Sequence, residues 1–314
     1  MEIAATKIRV EKIRHNISKV MIGKKEAIDL LLIALLSHGH VLLEDIPGIG
    51  KTTLVSSLAR SLGLTFRRIQ FTPDVMPSDI TGFNLYNQQS SCFEFHPGAV
   101  MSQLILADEI NRTSPKTQSS LLEAMQENQV TVDGITYPVP QPFMVLATQN
   151  PIEQVGTYPL PEAQLDRFML KISLGYPTLQ EEMEIYSRFS GHSPIFDLGA
   201  VVTTEELIEM QETVLTVHCA DSIRRYIATL AQHTRRHPEL ALGVSPRGAL
   251  MLMLASRSRA MLLGRNFILP DDVLAMINPI MGHRLLLKPE ARLRQVSISS
   301  VLTEIIQTVP VPQI

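Results

Sequence analysis

Along the first 175 residues, short apolar runs alternate with stretches whose apolar positions recur at helical spacing. Runs at 41–44, 66–71, 104–107, 143–148 and 168–174 predict five strands. Several are apolar without alternation, the pattern of strands covered on both faces. The segments between them read as helices with legible ends. Residues 52–62 put Leu54, Val55, Leu58, Ala59 and Leu62 on one side and stop at Gly63, a residue suited to the left-handed turn that closes a helix. Ser114 followed by Pro115 predicts a capped start to a helix ending near Asn128. Such alternation builds a parallel sheet with crossover helices.

The rhythm changes at Gly175-Tyr176-Pro177, beyond which nearly every segment reads as helical. Thr178-Leu179-Gln180-Glu181 and Thr203-Thr204-Glu205-Glu206 are capping boxes, and Ser245-Pro246 repeats the cap-then-proline start. Met183, Tyr186, Leu207, Met210, Leu250, Leu254 and Met261 fall at helical spacing and are expected in the core, with the 14 methionines mostly filling it. The expected architecture is an α/β domain over 1–175 and an all-α domain over 176–314.

Composition narrows the function. With 45% hydrophobic and 19% charged residues in 314, the chain can bury a large core. A net charge of -3 gives no general attraction to nucleic acid or anionic lipid. Cys92 and Cys219 are far apart and form no metal-ligand spacing, which fits a reducing compartment. The start of the chain has no apolar signal segment, and the longest apolar runs, 30–36 and 250–255, are too short to cross a bilayer. A cytoplasmic location without a membrane span is expected.

Three motifs carry chemistry. Glu44-Asp45-Ile46-Pro47-Gly48-Ile49-Gly50-Lys51-Thr52-Thr53 lies between an apolar strand and a helix, the setting of a phosphate-binding P-loop. Its glycines let backbone amides close around phosphate oxygens, Lys51 would reach the β- and γ-phosphates, and Thr52 would hold Mg²⁺. Asp45 departs from the motif, which has glycine there. Leu104-Ile105-Leu106-Ala107-Asp108-Glu109 is a buried strand delivering two acids, Asp108 toward the metal and Glu109 toward the attacking water. Phe143-Met144-Val145-Leu146-Ala147-Thr148-Gln149-Asn150 ends in an amide that would sit between the acids and the γ-phosphate; read alone, it is better described as a loop asparagine capping the next turn before Pro151.

Together the three resemble Walker A, Walker B and sensor 1 of AAA+ ATPases. Asp108-Glu109-Ile110-Asn111-Arg112, Leu121-Leu122-Glu123-Ala124-Met125, Ala147-Thr148-Gln149-Asn150-Pro151 and the stretch from Gly156-Thr157-Tyr158-Pro159 through Leu165-Asp166-Arg167-Phe168 extend the resemblance to the MoxR family. It implies a five-stranded parallel sheet of order 5-1-4-3-2 with a C-terminal helical lid, and ATP and Mg²⁺ as cofactors. Ile22 and Gly23 would lie near the adenine, joining Pro47, Gly48, Ile49, Gly50, Lys51, Thr52 and Thr53 as nucleotide contacts. Thr52 and Asp108 would serve the metal. Glu109, Asn150, Arg167 as the arginine finger and Arg247 as sensor 2 would be the catalytic set. Arg247, in the first turn of its helix, is expected to aim at the nucleotide cleft. Gln70 and Arg112 match switch and interface positions.

Two insertions bear on the partner. Asp133-Gly134 between alternating β-formers at 130–137 predicts a hairpin, and residues 81–99 predict a second. Neither contains Lys or Arg, which weakens a DNA motor, since such hairpins would need cations to meet phosphates. The family resemblance implies a homo-oligomeric ring, a hexamer, that remodels or activates a protein client together with a von Willebrand factor A domain partner. The alternatives are a DNA-acting motor and a nucleotide-dependent regulatory scaffold.

Overall fold

A computed structural model describes residues 2–46, 48–150, 156–189, 191 and 193–313. Helices α1 (Ile3–Ser18) and α2 (Lys25–Leu36) precede β1 (Val41–Glu44), α3 (Lys51–Leu62), β2 (Phe66–Gln70) and a short α4 (Pro77–Thr81). A hairpin of β3 (Gly82–Asn87) and β4 (Cys92–Pro97) leads to β5 (Leu104–Asp108) and α5 (Pro115–Glu127). The hairpin of β6 (Gln129–Val132) and β7 (Ile135–Pro138) follows, then β8 (Met144–Gln149), α6 (Glu162–Leu165) and β9 (Leu170–Ile172). The remainder is α7 (Leu179–Arg188), α8 (Thr204–Thr216), α9 (Asp221–Arg236), β10 (Leu240–Leu242), α10 (Pro246–Leu262), α11 (Pro270–Met281), β11 (Leu286–Leu287), α12 (Pro289–Leu293) and α13 (Ile298–Thr308).

The central sheet runs β2-β5-β8-β1-β9, with every pairing parallel. Counted among the five core strands this is the expected 5-1-4-3-2, and helices cover both faces. Leu104 and Leu106 enter the apolar cluster shared with α1, α2, α3 and the C-terminal helices, while Ile105 and Ala107 enter the one under α5. Two cores on one strand explain its unbroken apolar run. The fifth strand is shorter than its apolar stretch. Met169 donates its N–H to the His40 carbonyl at 2.8 Å, and the amides of Leu174 and Gly175 go to the Asp45 carboxylate rather than to a neighbouring strand.

The helix ends follow the local chemistry. Ser114 Oγ accepts from Thr117 N–H, Ser245 Oγ from Gly248 N–H, and Thr178 and Thr203 both form capping boxes. Both hairpins form, and they meet: Asn84 donates to Asp133 at 2.9 Å, and Phe95 stacks on Tyr137 with centroids 3.9 Å apart.

One expectation fails. Leu207, Met210 and Met261 are buried, but Met183, Tyr186 and Leu250 are exposed, and α7 buries no residue at all. Polar contacts hold α7 instead: Arg188 donates to the carbonyls of Ser18 and Lys19 at 2.9 and 3.0 Å, so the apolar stripe faces outward. Periodicity marks a face to be covered without saying by what. Among the described residues no helix is long and apolar enough to cross a membrane.

Candidate functional site

β1 delivers the chain to the C-terminal edge of the sheet, where it must turn into α3. Gly48 and Gly50 make that turn at φ of +87° and +91°, a region open to glycine and costly for other residues. Gly50 is the N-cap of α3 and has no side chain to satisfy the leading amides. Those N–H groups, at the positive end of the helix, are left to an external anion. No atom lies within 4 Å of where a Cβ on Gly48 would project. Lys51 heads α3 and donates from Nζ to the Asp45 carbonyl at 2.9 Å, with Thr52 and Thr53 in the same turn and Ile49 packed on the core. Pro47 lies outside the described residues.

Asp45, standing where the motif has glycine, is buried. Its carboxylate accepts from Ser173 Oγ at 2.7 Å, Leu174 N–H at 2.6 Å and Gly175 N–H at 3.3 Å. Lys24 donates to the carbonyls of Leu174, Gly175 and Tyr176 at 2.7, 3.2 and 3.4 Å. The segment leaving β9 is thus held by the P-loop on one side and the Ile22-Gly23 segment on the other. Ile22 is buried, and the Met21 methyl lies 3.9 Å from where a Cβ on Gly50 would stand. Gly23, at φ +70°, has the Glu181 carboxyl filling its Cβ position. A cleft of about 490 Å³ lies beside this junction, lined by Gly23, Lys24, Glu44, Lys171, Ser173 and Leu174.

The two acids emerge where β5 ends. Asp108 Oδ1 accepts from the buried Thr148 hydroxyl at 2.6 Å, and Thr148 Oγ1 in turn accepts the Glu109 N–H at 2.8 Å. Glu109 adopts φ +58°, turning its side chain out of the strand direction. Its Oε2 accepts from the Gln70 amide at 2.7 Å and lies 3.2 Å from Arg112 Nε. Asn150 directly follows β8, the strand lying between β5 with its acids and β1 with its P-loop, and is buried. Lys51, Thr52, Asp108, Glu109 and Asn150 therefore share one sheet edge.

The donor set fits a magnesium triphosphate. Carboxylate and hydroxyl oxygens suit Mg²⁺, which takes most of its shell from phosphate and water. Among the described residues no cluster of three or more His, Cys, Asp or Glu offers an all-protein cage.

The arginines lie elsewhere. Asp166 and Arg167 precede β9, at the N-terminal edge of the sheet. Asp166 accepts from Ser245 Oγ at 2.9 Å and from Arg284 Nε at 2.8 Å, and the buried Arg284 also donates to the carbonyls of Asp166, Phe168 and Met169. Arg247 follows Ser245 by two residues; burial first, and then the Arg247 charge, lower the pKa of His40, at the start of β1, and of Arg284. Four residues of β1, a rise of about 13 Å, separate this edge from the P-loop edge. The helix that carries Arg247 therefore starts at the edge opposite the P-loop, where the Ser245–Asp166 and Arg284–Asp166 contacts dock the helical half against the sheet. Arg167, three residues before β9, stands at the same edge.

Sequence reasoning missed Asp45, Thr148 and Arg284 as members of these networks, and Arg68, whose guanidinium donates to Asp108 Oδ2 at 2.6 Å. Arg68 left a trace, standing two residues before Gln70 on one face of an edge strand; the others are decided by contacts between distant segments.

A nucleotide-binding edge on a 5-1-4-3-2 sheet with a helical lid defines a P-loop ATPase of the AAA class. The family model described as ATPase family associated with various cellular activities matches residues 40–170, and the AAA lid domain matches 232–305. The chain is 40% identical to the chaperone MoxR1 of Mycobacterium tuberculosis, over 99% of this chain and 85% of that one. It is 50% identical to protein YeaC of Bacillus subtilis, over 95% and 93% of the two chains. A crystal structure from Cytophaga hutchinsonii superposes with a TM-score of 0.93 at 38% identity, covering 99% and 97%. The chain belongs to the MoxR family of AAA+ ATPases, and its reaction is ATP hydrolysis.

Proposed function

We propose that the chain acts as a ring, hexameric by family resemblance, in which ATP is hydrolysed between subunits to remodel or activate a protein client. The observation that carries this is the separation of Arg167 and Arg247 from the P-loop on opposite edges of one sheet. An arginine that cannot reach its own triphosphate can serve a neighbour's, and head-to-tail contacts of this kind close into rings.

In each shared site Gly48, Gly50, Lys51, Thr52 and Thr53 bind the phosphates. Thr52 and Asp108 would hold magnesium, which when bound would supply neutralisation of the phosphate charge. Glu109 orients the attacking water, Asn150 positions it against the γ-phosphate, and Arg167 and Arg247 of the adjacent copy meet the charge that develops there. Gln70 holds Glu109 as a switch.

A protein client is favoured by the hairpins. Their exposed side chains include Phe83, Leu85, Tyr86, Phe93 and Ile135, and neither hairpin carries Lys or Arg. Phosphate-tracking surfaces need cations, whereas exposed apolar and aromatic groups suit polypeptide. The relative named chaperone MoxR1 agrees with this reading. A von Willebrand factor A domain partner and a cytoplasmic location complete the reading.

Mixing subunits tests the shared site. Arg167→Ala and Glu109→Gln are each expected to bind ATP and to lose turnover, the arginine accounting for about 10³–10⁵ in rate. Equal mixtures should recover hydrolysis at the roughly one-quarter of heterologous interfaces that pair an intact Glu109 with an intact Arg167. Full activity of Arg167→Ala alone, or no recovery on mixing variants that assemble together, defeats the model.

A further inference from the structure

Asp108 presents one oxygen inward and one outward. Oδ1 is fixed by the buried Thr148 hydroxyl at 2.6 Å, which leaves Oδ2 to meet a cation. That oxygen is already engaged: Arg68 donates to it from Nη2 at 2.6 Å and from Nε at 3.2 Å. Arg68 Nη2 also donates to Gln70 Oε1 at 2.9 Å, and the Gln70 amide donates to Glu109 Oε2 at 2.7 Å. One guanidinium therefore holds Asp108 directly and Glu109 through Gln70.

The backbone explains why this residue can do so. Arg68 and Gln70 are two apart on β2, so both point to the same face, and β2 pairs in parallel with β5 with Gln70 opposite Asp108. A planar fork can bridge a carboxylate on the next strand and an amide on its own. β2 is the edge strand, and the Arg68 side chain is 47% exposed against 14% for Asp108. The arginine can swing into water without losing burial, whereas the aspartate stays fixed.

We propose that Arg68 is a positioning residue for metal loading: a resident counter-cation that neutralises Asp108 and secures the Gln70–Glu109 pair until magnesium displaces it. The proposal rests on the reading of Asp108 as the metal-side acid. A half-exposed ion pair is weak, so a divalent ion arriving with a triphosphate exchanges with it readily. Exchange frees the Gln70 carbonyl at the same moment, so the Gln70 hold on Glu109 loosens with metal loading rather than before it, while the Arg112 contact remains. A site with nucleotide and no metal keeps both acids turned toward β2.

The test reads binding, not turnover. The chain has no tryptophan, so a fluorescent N-methylanthraniloyl ATP reports affinity, first in EDTA and then across a Mg²⁺ titration. The wild-type affinity should rise with Mg²⁺ at a definite midpoint. In Arg68→Met that midpoint is expected about three- to five-fold lower, because no resident cation must leave. Arg68→Lys, which keeps the charge and loses the fork, should fall between. Arg67→Met, on the opposite face of β2, should match wild type. An Arg68→Met midpoint that is unchanged or higher overturns the proposal, as does loss of nucleotide binding in both EDTA and Mg²⁺ by a variant with native circular dichroism, since Arg68 would then be a phosphate ligand. If Arg68→Met does not fold, Arg68→Lys decides in the same way, a midpoint at or above wild type overturning the proposal. Wild-type binding that ignores Mg²⁺ would instead strike at the reading of Asp108.

Discussion

Acidification should unfold this protein partly through one histidine beneath the arginine edge. His40 is buried at the start of β1, its ring edge-on to Phe143. Nδ1 accepts the Val145 N–H at 3.0 Å, so the proton of the neutral ring resides on Nε2, which donates to the Met125 carbonyl at 2.9 Å. Protonating Nδ1 would set two N–H groups against each other. Burial lowers the His40 pKa to about 4, and the nearby Arg247 charge pushes the same way. Because the folded value lies below the ordinary 6.5, the unfolded chain takes up the proton first as pH falls. Stability is complete above about pH 6.5 and is lost on the way down to about pH 4. At pH 5.5 the loss is about 1 kcal/mol, approaching about 3 kcal/mol once the folded ring also titrates. Urea unfolding of wild type and His40→Gln across pH 7.5 to 4.5 isolates this contribution as their difference, and the His40 Cε1–H resonance should not shift above pH 5. Arg247→Ala should raise its midpoint, which makes the resonance a gauge of where Arg247 sits. A His40 resonance titrating near 6.5, or a wild-type minus variant difference that is flat with pH, refutes the reasoning.

Other outcomes follow from the same contacts. Lys51→Ala should abolish ATP binding in calorimetry while leaving the fold intact, and unchanged affinity would discredit the P-loop. Arg284→Met should cost about 3–5 kcal/mol in urea unfolding, since a buried partner of Asp166 and of four carbonyls is removed; a loss under 1 kcal/mol would mean the lid docks by other means. Asp45→Gly restores the motif glycine yet should destabilise by about 2–4 kcal/mol through the lost bonds to Ser173, Leu174 and Gly175, with ATP affinity in calorimetry within a few-fold of wild type. A variant at least as stable as wild type would remove the tether from Asp45.

The sequence by itself determined what depends on near neighbours. The P-loop between strand and helix, the acids ending an apolar strand, the capping boxes at Thr178 and Thr203 and the Asp133-Gly134 hairpin are all written within about ten residues, where period and local hydrogen bonding act. The sheet order came from resemblance and agrees with the structure. Only the tertiary structure decided at which sheet edge the arginine-bearing segments stand, because that is set by Asp166 with Arg284, 118 positions apart, and by Ser245, 79 away. It also decided that Asp45 grips a segment about 130 residues downstream, and that the stripe of α7 faces outward. Such pairings leave no local period in the chain; a buried carboxylate or guanidinium finds its partner through packing of whole elements, and composition along the chain cannot say which elements meet.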